Sequence, residues 1–250
     1  MSLNGDAQKR YLNFVQRLNR DHLDSRPGES DLEARIQSFE LAARMQTAAK
    51  EALDISGESE ATQRLYGLHR KETEEFGTRC LIARRLVERG VRCVSLFTGN
   101  QTWDHHNSIL TSLPSACAQV DQPAAALVID LKQRGLLDTT VVHWGGEMGR
   151  LPVIQNRAGA KGRDKVGRDH NTYGFTSWVA GGGFKAGHIH GATDEFGHHA
   201  VEDVVHHYDY HATLLHLFGL DPAKLSYKRN GTAQRLVENP EARVVTELLA

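Results

Sequence analysis

The stretch VRCVSLFTGNQTWDHHNSILTSLPSACAQVDQPAAALVIDLKQRGLLDTTVVHW, residues 91–144, decides the fold class. Its opening run, Val91 to Phe97, is short and rich in strand-forming side chains, and it ends in the loop Thr98-Gly99-Asn100-Gln101. Asp121 then reads as the cap of a helix with Pro123 in its first turn. Val120, Ala124, Leu127, Val128 and Leu131 lie on one side of that helix, and Gly135 closes it. Thr139 to Trp144 reads as the next strand. Strand, helix, strand is a βαβ unit, so the expected fold is α/β with two parallel, adjacent strands joined by a right-handed crossover. In such sheets ligands bind beyond the carboxyl ends of the strands. The first strand leads into Trp103-Asp104-His105-His106-Asn107 and the second into Gly145-Gly146-Glu147-Met148-Gly149-Arg150, so two acid-bearing loops are expected to meet at one rim.

Upstream, residues 1–90 read as a helical segment. Ser30-Asp31-Leu32-Glu33 has the capping-box pattern, followed by Leu32, Ile36, Phe39, Ala43 and Met45 at near-helical spacing. A second amphipathic run carries Phe76, Cys80, Ala83, Leu86 and Val87 before Gly90 stops it. Downstream, residues 91–250 hold the chemistry. A long loop rich in Gly, Lys and Arg, residues 152–169, leads to Gly167-Arg168-Asp169-His170, a third strand from Phe175 to Ala180, and the Gly181-Gly182-Gly183 turn. Asp209 is placed to cap a last helix, Ala212 to Phe218, ended by Gly219.

Composition narrows the function classes. A chain of 250 residues is long enough for one sizeable α/β domain, or for a core with a helical extension. A net charge of −1 gives no long-range pull toward nucleic acid or a membrane surface. Cys80, Cys93 and Cys117 lack CxxC spacing and are odd in number, so they read as small buried apolar residues, not as a disulfide or zinc framework. No run approaches the roughly 18 apolar residues of a membrane span, and the start MSLNGDAQKR has no signal-peptide character. Histidine is the unusual count: of 14, all but His22 and His69 follow residue 100.

Asp104, His106, Glu147, Asp169 and His170 are oxygen and imidazole donors on loops, the mixture that zinc, manganese or iron accepts. Asp104 and His106 are two apart, so in an extended loop their side chains share a side and can grip one ion, while His105 points away as a second-layer residue. Arg150 and Arg168 flank the acid loops, where a guanidinium can hold an anionic ester. His188, His190, His198, His199, His206 and His207 form a diffuse cluster, read mostly as surface. A lone acid or imidazole on a loop is ordinarily solvated; the weight rests on the Asp-His-His run after a strand.

The stretches DLEARIQSFELAARMQ, CLIARRLVERGVRCVSLFTGNQTWDHHN, DLKQRGLLDTTVVHWGGEMGRLPVIQ, GRDHN, WVAGGGFKAGHIHGATDEFG and DYHATLLHLFGLD resemble the sulfatase-like domain of unknown function family 1501, from about residue 27 to the end. That family in turn resembles the alkaline phosphatase and sulfatase superfamily. The resemblance implies an alkaline-phosphatase-like, mostly parallel sheet flanked by helices, with one or two divalent ions, zinc first and manganese, calcium or iron as alternatives. By the same resemblance Asp104, His106 and His170 look like ligands of a first metal and Glu147 of a second, with Asp169 a further ligand. The family usually shows Trp-Asp-Thr-His where this chain has His105, which leaves open which neighbouring histidine binds. Family members are longer and begin with a Gly-rich strand bearing the nucleophile, so the expectation is an incomplete, C-terminal part of the domain whose nucleophile lies upstream of residue 1, exported by a signal also upstream.

The function expected is hydrolysis of a small phosphate or sulfate ester, nearly inactive in this chain alone. The alternatives are a non-catalytic metal-binding fragment or binding module and, from the two-His-one-carboxylate set, a non-haem iron oxygenase, against which the βαβ unit argues. Uncovered core surface is expected to favour self-association.

Overall fold

The amphipathic pattern upstream of residue 90 forms helices: α1 (Gly5–Asp24), α2 (Ser30–Leu53), α3 (Glu60–Leu65) and α4 (Glu74–Glu88). This is a computed structural model, and it describes residues 5–28, 30–155 and 162–250. The chain divides into two compact units, one made of the residues up to Ser59 with Arg85–Val94, the other of Glu60–Arg84 with Ser95–Ala250.

In the first unit, Leu32 and Ile36 of α2 are half-buried and Phe39 faces outward. The expected cap at Ser30 and the apolar positions Ala43 and Met45 lie outside the described side chains. Arg85 ties off the end of α2, donating from Nε to the Ala52 carbonyl at 2.9 Å and from Nη2 to the Glu51 carbonyl at 2.6 Å, and pairing with Glu58. It thereby satisfies carbonyls that a helix end leaves without partners.

In the second unit the long helix is α5 (Ile109–Gln133). It begins well before the expected cap: Asp121 is an exposed mid-helix residue, and both Pro114 and Pro123 lie inside. The apolar period explains this. Ala116, Val120, Pro123, Ala126 and Asp130 are buried at spacings of three and four, with Leu131 buried beside them, so Pro123 sits within the buried stripe, not at its start. Burial along the whole stripe outweighs the roughly 3 kcal/mol that an interior proline costs. Gly135 closes α5 as expected: at φ 68 it donates to the Lys132 carbonyl, while Leu136 donates to that of Leu131 at 2.8 Å, the two bonds of a Schellman end. Buried Tyr66, Phe76, Cys80, Leu81 and Ala83 complete this core. Burial pushes the Cys80 thiol up to about 12, so it is inert. Cys93 and Cys117, expected inside, are exposed.

The sheet differs from expectation. The strands are β1 (Val142–Trp144), β2 (Gly149–Arg150), β3 (His170–Asn171), β4 (Trp178–Ala180), β5 (Ala192–Thr193), β6 (Ala200–Glu202), β7 (Ser226–Arg229) and β8 (Thr232–Arg235). They form two-stranded antiparallel pairs, β1 with β4, β2 with β3, β5 with β6 and β7 with β8. Val91 to Phe97 is not a strand, and no parallel pair exists among the described residues, so the architecture is mixed α and β without the parallel alkaline-phosphatase-like sheet. A strand is made by its partner more than by its composition. Here Val142–Trp144 finds its partner in Trp178–Ala180, and the glycine turn that follows folds back so that Gly182 donates to the Leu137 carbonyl at 2.9 Å. A Cβ on Gly181 would overlap the Leu137 carbonyl oxygen, so only glycine allows this approach.

Between β6 and β7 runs α6 (His207–Leu217). Its cap is His206, not Asp209: Asp209 stands at the third helical position and accepts from the His206 amide at 3.1 Å, the reciprocal half of a capping box. The C-terminal residues close on this region through Val245 N–H to Thr213 Oγ1 at 2.9 Å and Ala250 N–H to the Gly183 carbonyl at 2.9 Å. Among the described residues no helix is long and apolar enough to cross a membrane.

Candidate metal centre

Three segments lie side by side here, with residues 166–171 in the middle. On one side Ile109 N–H donates to the Val166 carbonyl and Arg168 N–H to the His105 carbonyl, each at 3.0 Å. On the other side Gln155 N–H donates to the Gly167 carbonyl at 2.9 Å and Leu151 N–H to that of Asp169 at 2.8 Å, continuing into the β2–β3 pair, where Arg150 faces His170. The middle segment therefore brings the Asp104–His106 loop, Arg150 and His170 together. Gly167 makes the seam possible, because a Cβ there would overlap the His106 carbonyl group. Gly167→Ala should destabilise the unit by about 1–3 kcal/mol, the range for overpacking, and should lower metal retention with it. Unfolding in denaturant and metal content measure the two effects; an unchanged midpoint would contradict the seam.

The side chains converge on Asp104 Oδ1. His106 Nε2 is 3.0 Å from it, His170 Nε2 3.3 Å and an Arg150 Nη 2.8 Å. The three donor atoms of Asp104, His106 and His170 lie within 4.8 Å of one another. Ligand atoms at zinc bond lengths in a tetrahedron are about 3.3–3.5 Å apart, and two imidazole rings sharing an ion have centroids about 5 Å apart. The His106 and His170 centroids are 4.8 Å apart. The residues thus fit a divalent ion.

A hydrogen bond orients the His106 ring. His106 Nδ1 is 2.8 Å from Gln155 Oε1. An amide oxygen only accepts, so Nδ1 carries the hydrogen and, in the neutral ring, Nε2 presents a lone pair toward a carboxylate oxygen. Two lone pairs facing at 3.0 Å need a cation between them, a proton or a metal ion. Hydrogen bonds from Arg150, then from His170, hold the Asp104 carboxyl down at about 2 against a usual 3.8. The stabilisation is present above the usual value and fades as pH falls toward 2. Arg150 is itself fixed by the Trp103 carbonyl at 2.7 Å and that of Arg168 at 3.2 Å.

The other expected residues take different places. His105 faces away from the donors and is buried, with Nδ1 2.8 Å from Ser112 Oγ, so His106 is the histidine of this run that joins the group. Burial lowers the His105 pKa. Asp169 stands 3.8 Å from His106 Nδ1, on the side of the ring away from Asp104, and its Oδ1 accepts from the His170 amide. Glu147 is exposed and outside the group of donors found among the described residues. It precedes β2, so the pairing that aligns Arg150 with His170 does not align Glu147. Arg168 contributes its backbone to the seam, and its side chain is exposed. Sequence reading missed Gln155 and Gly167, for which a loop with no period offered no signal. Gln155→Leu should weaken metal binding about 10- to 100-fold by freeing the His106 ring. Titration with zinc measures it, and an unchanged affinity would show that Gln155 does not orient the ring.

One family model, described as a protein of unknown function, DUF1501, matches residues 1–249. The match includes the N-terminal segment before residue 27. No curated protein and no solved structure matches the chain.

Proposed function

The chain belongs to the DUF1501 family, and from that premise we propose that it is a metal-dependent hydrolase of small anionic esters, phosphate or sulfate, related to the alkaline phosphatases and sulfatases. One observation carries the reading: two imidazoles and a fixed guanidinium converge on a single carboxylate oxygen of Asp104, so a cation site and an anion site adjoin. Zinc is the ion proposed, since two imidazoles and a carboxylate suit it, with manganese, calcium or iron as alternatives. A divalent ion bound there supplies Lewis-acid stabilisation of the charge that grows on the transferring group.

Asp104, His106 and His170 hold the ion, and Gln155 keeps the His106 lone pair aimed at it. Arg150 engages three of its five N–H groups with Trp103, Asp104 and Arg168, leaving two to bind nonbridging oxygens of the ester. Among the described residues, no serine, threonine or cysteine side chain bonds to these groups. Without a positioned side-chain nucleophile turnover should be slow. The zinc- or manganese-loaded chain is expected to hydrolyse 4-nitrophenyl phosphate or sulfate slowly, and Asp104→Asn or a chelator should abolish this. Turnover no greater than that of Asp104→Asn with every metal would remove the hydrolase reading and leave a non-catalytic metal-binding module.

A second reading has its own support. The donor set is two histidines and one carboxylate, the facial triad of non-haem iron oxygenases, and the βαβ unit that argued against it is not formed among the described residues. Iron(II)-dependent oxygen uptake, lost in His170→Ala, would favour this reading over hydrolysis.

A further inference from the structure

Twelve of the histidines follow residue 100, and the Asp104 group uses two of them. A second concentration lies at the start of α6 and on β1. We propose that His207 and His211, with His143 from β1, form a second metal site for a late first-row divalent cation such as copper, nickel or zinc.

His207 and His211 are four residues apart on α6, so their side chains rise from the same helical face. Both are exposed, and their ring centroids are 6.4 Å apart. Two imidazoles sharing one ion need centroids about 5 Å apart, so the rings must close by about 1.5 Å. Side-chain rotation at an exposed position accomplishes that without moving the backbone.

His143 packs on Tyr210, the residue before His211 on α6, with ring centroids 5.1 Å apart. Its Nδ1 is 2.7 Å from the Tyr210 hydroxyl. That anchor leaves Nε2 for an ion, as Gln155 does for His106.

His206 Nδ1 accepts from the Tyr208 amide in the helix cap, which leaves its Nε2 as a further imidazole nitrogen beside His207, the ring centroids being 4.2 Å apart. The two carboxylate oxygens of Asp209 accept from the His206 and Arg243 amides. The available donors are therefore all imidazole, a set that favours copper, nickel and zinc over magnesium or calcium. No residue is shared with the Asp104 group, so the site stands or falls independently of the hydrolase reading.

The test removes the first site and counts what remains. In the full chain carrying Asp104→Asn and His106→Ala, equilibrium dialysis against copper(II) followed by elemental analysis gives the number of bound equivalents. Adding His207→Ala and His211→Ala should lower that number by one and remove the matching nitrogen splitting from the copper resonance spectrum, whereas His216→Ala, on the same helix, should leave both unchanged. His143→Ala should weaken the same equivalent at least 10-fold. If the alanine pair lowers the helical signal, the glutamine pair at His207 and His211 replaces it. An equal number of equivalents with and without His207 and His211, or undiminished binding in His143→Ala, overturns the proposal.

Discussion

Asp130→Ala should destabilise the unit that contains it by about 3–5 kcal/mol, the range for removing one partner of a buried ion pair. Asp130 lies on the buried stripe of α5, accepts hydrogen bonds from Tyr66 and Arg134 and forms an ion pair with Arg84. Arg84 Nε is 2.9 Å from Oδ2, the Tyr66 hydroxyl donates to the same oxygen at 3.0 Å, and Arg134 Nε is 2.7 Å from Oδ1. The Arg84 and Asp130 side chains are 2% and 5% exposed. Truncating Asp130 leaves the Arg84 charge in a core from which it cannot reach water, and strands the Tyr66 hydroxyl as well. Unfolding in urea should show a lowered midpoint at unchanged slope. Replacing both partners with apolar residues, Arg84→Met with Asp130→Leu, should recover much of the loss, because an apolar pair of similar volume leaves no buried charge to desolvate. A loss below about 1 kcal/mol for Asp130→Ala would place this group with surface ion pairs instead.

The sequence made the site more legible than the sheet, for physical reasons. Asp104 and His106 are two residues apart on a short loop, so their relation depends on local geometry alone, and the structure brings both to one point with His170. Choosing between His105 and His106 required knowing that His105 turns toward Ser112 on the first turn of α5. Glu147 depended on a parallel sheet delivering two loops to one rim, and that sheet is not formed among the described residues. Strand pairing is a long-range property: Val91 to Phe97 has strand composition, yet nothing local reveals that Trp178–Ala180 pairs with Val142–Trp144. Pro123 misled for a related reason, since a proline marks a helix start only when no apolar stripe continues upstream of it, and Ala116 and Val120 continue this one. Of the histidine pair of α6, His207 belonged to the diffuse cluster read mostly as surface, whereas His211, the cap of the helix and the neighbour on β1 were not singled out.

Asp104→Asn combined with His106→Ala should abolish binding of the tightest metal equivalent. The first change removes the carboxylate charge on which both imidazoles and Arg150 converge, and the second removes the ring whose lone pair Gln155 aims. One ligand, His170, is left, and a single imidazole does not hold a divalent ion against water and buffer. Both side chains are partly exposed, so the substitutions should leave the fold intact, and the circular dichroism spectrum serves as the control. The direct measurement is zinc titration of the metal-free chain and of this double variant, each supplied with up to one equivalent. The unmodified chain should take up that equivalent tightly and the variant should not; equal affinity in the two would contradict a metal centre at Asp104, His106 and His170.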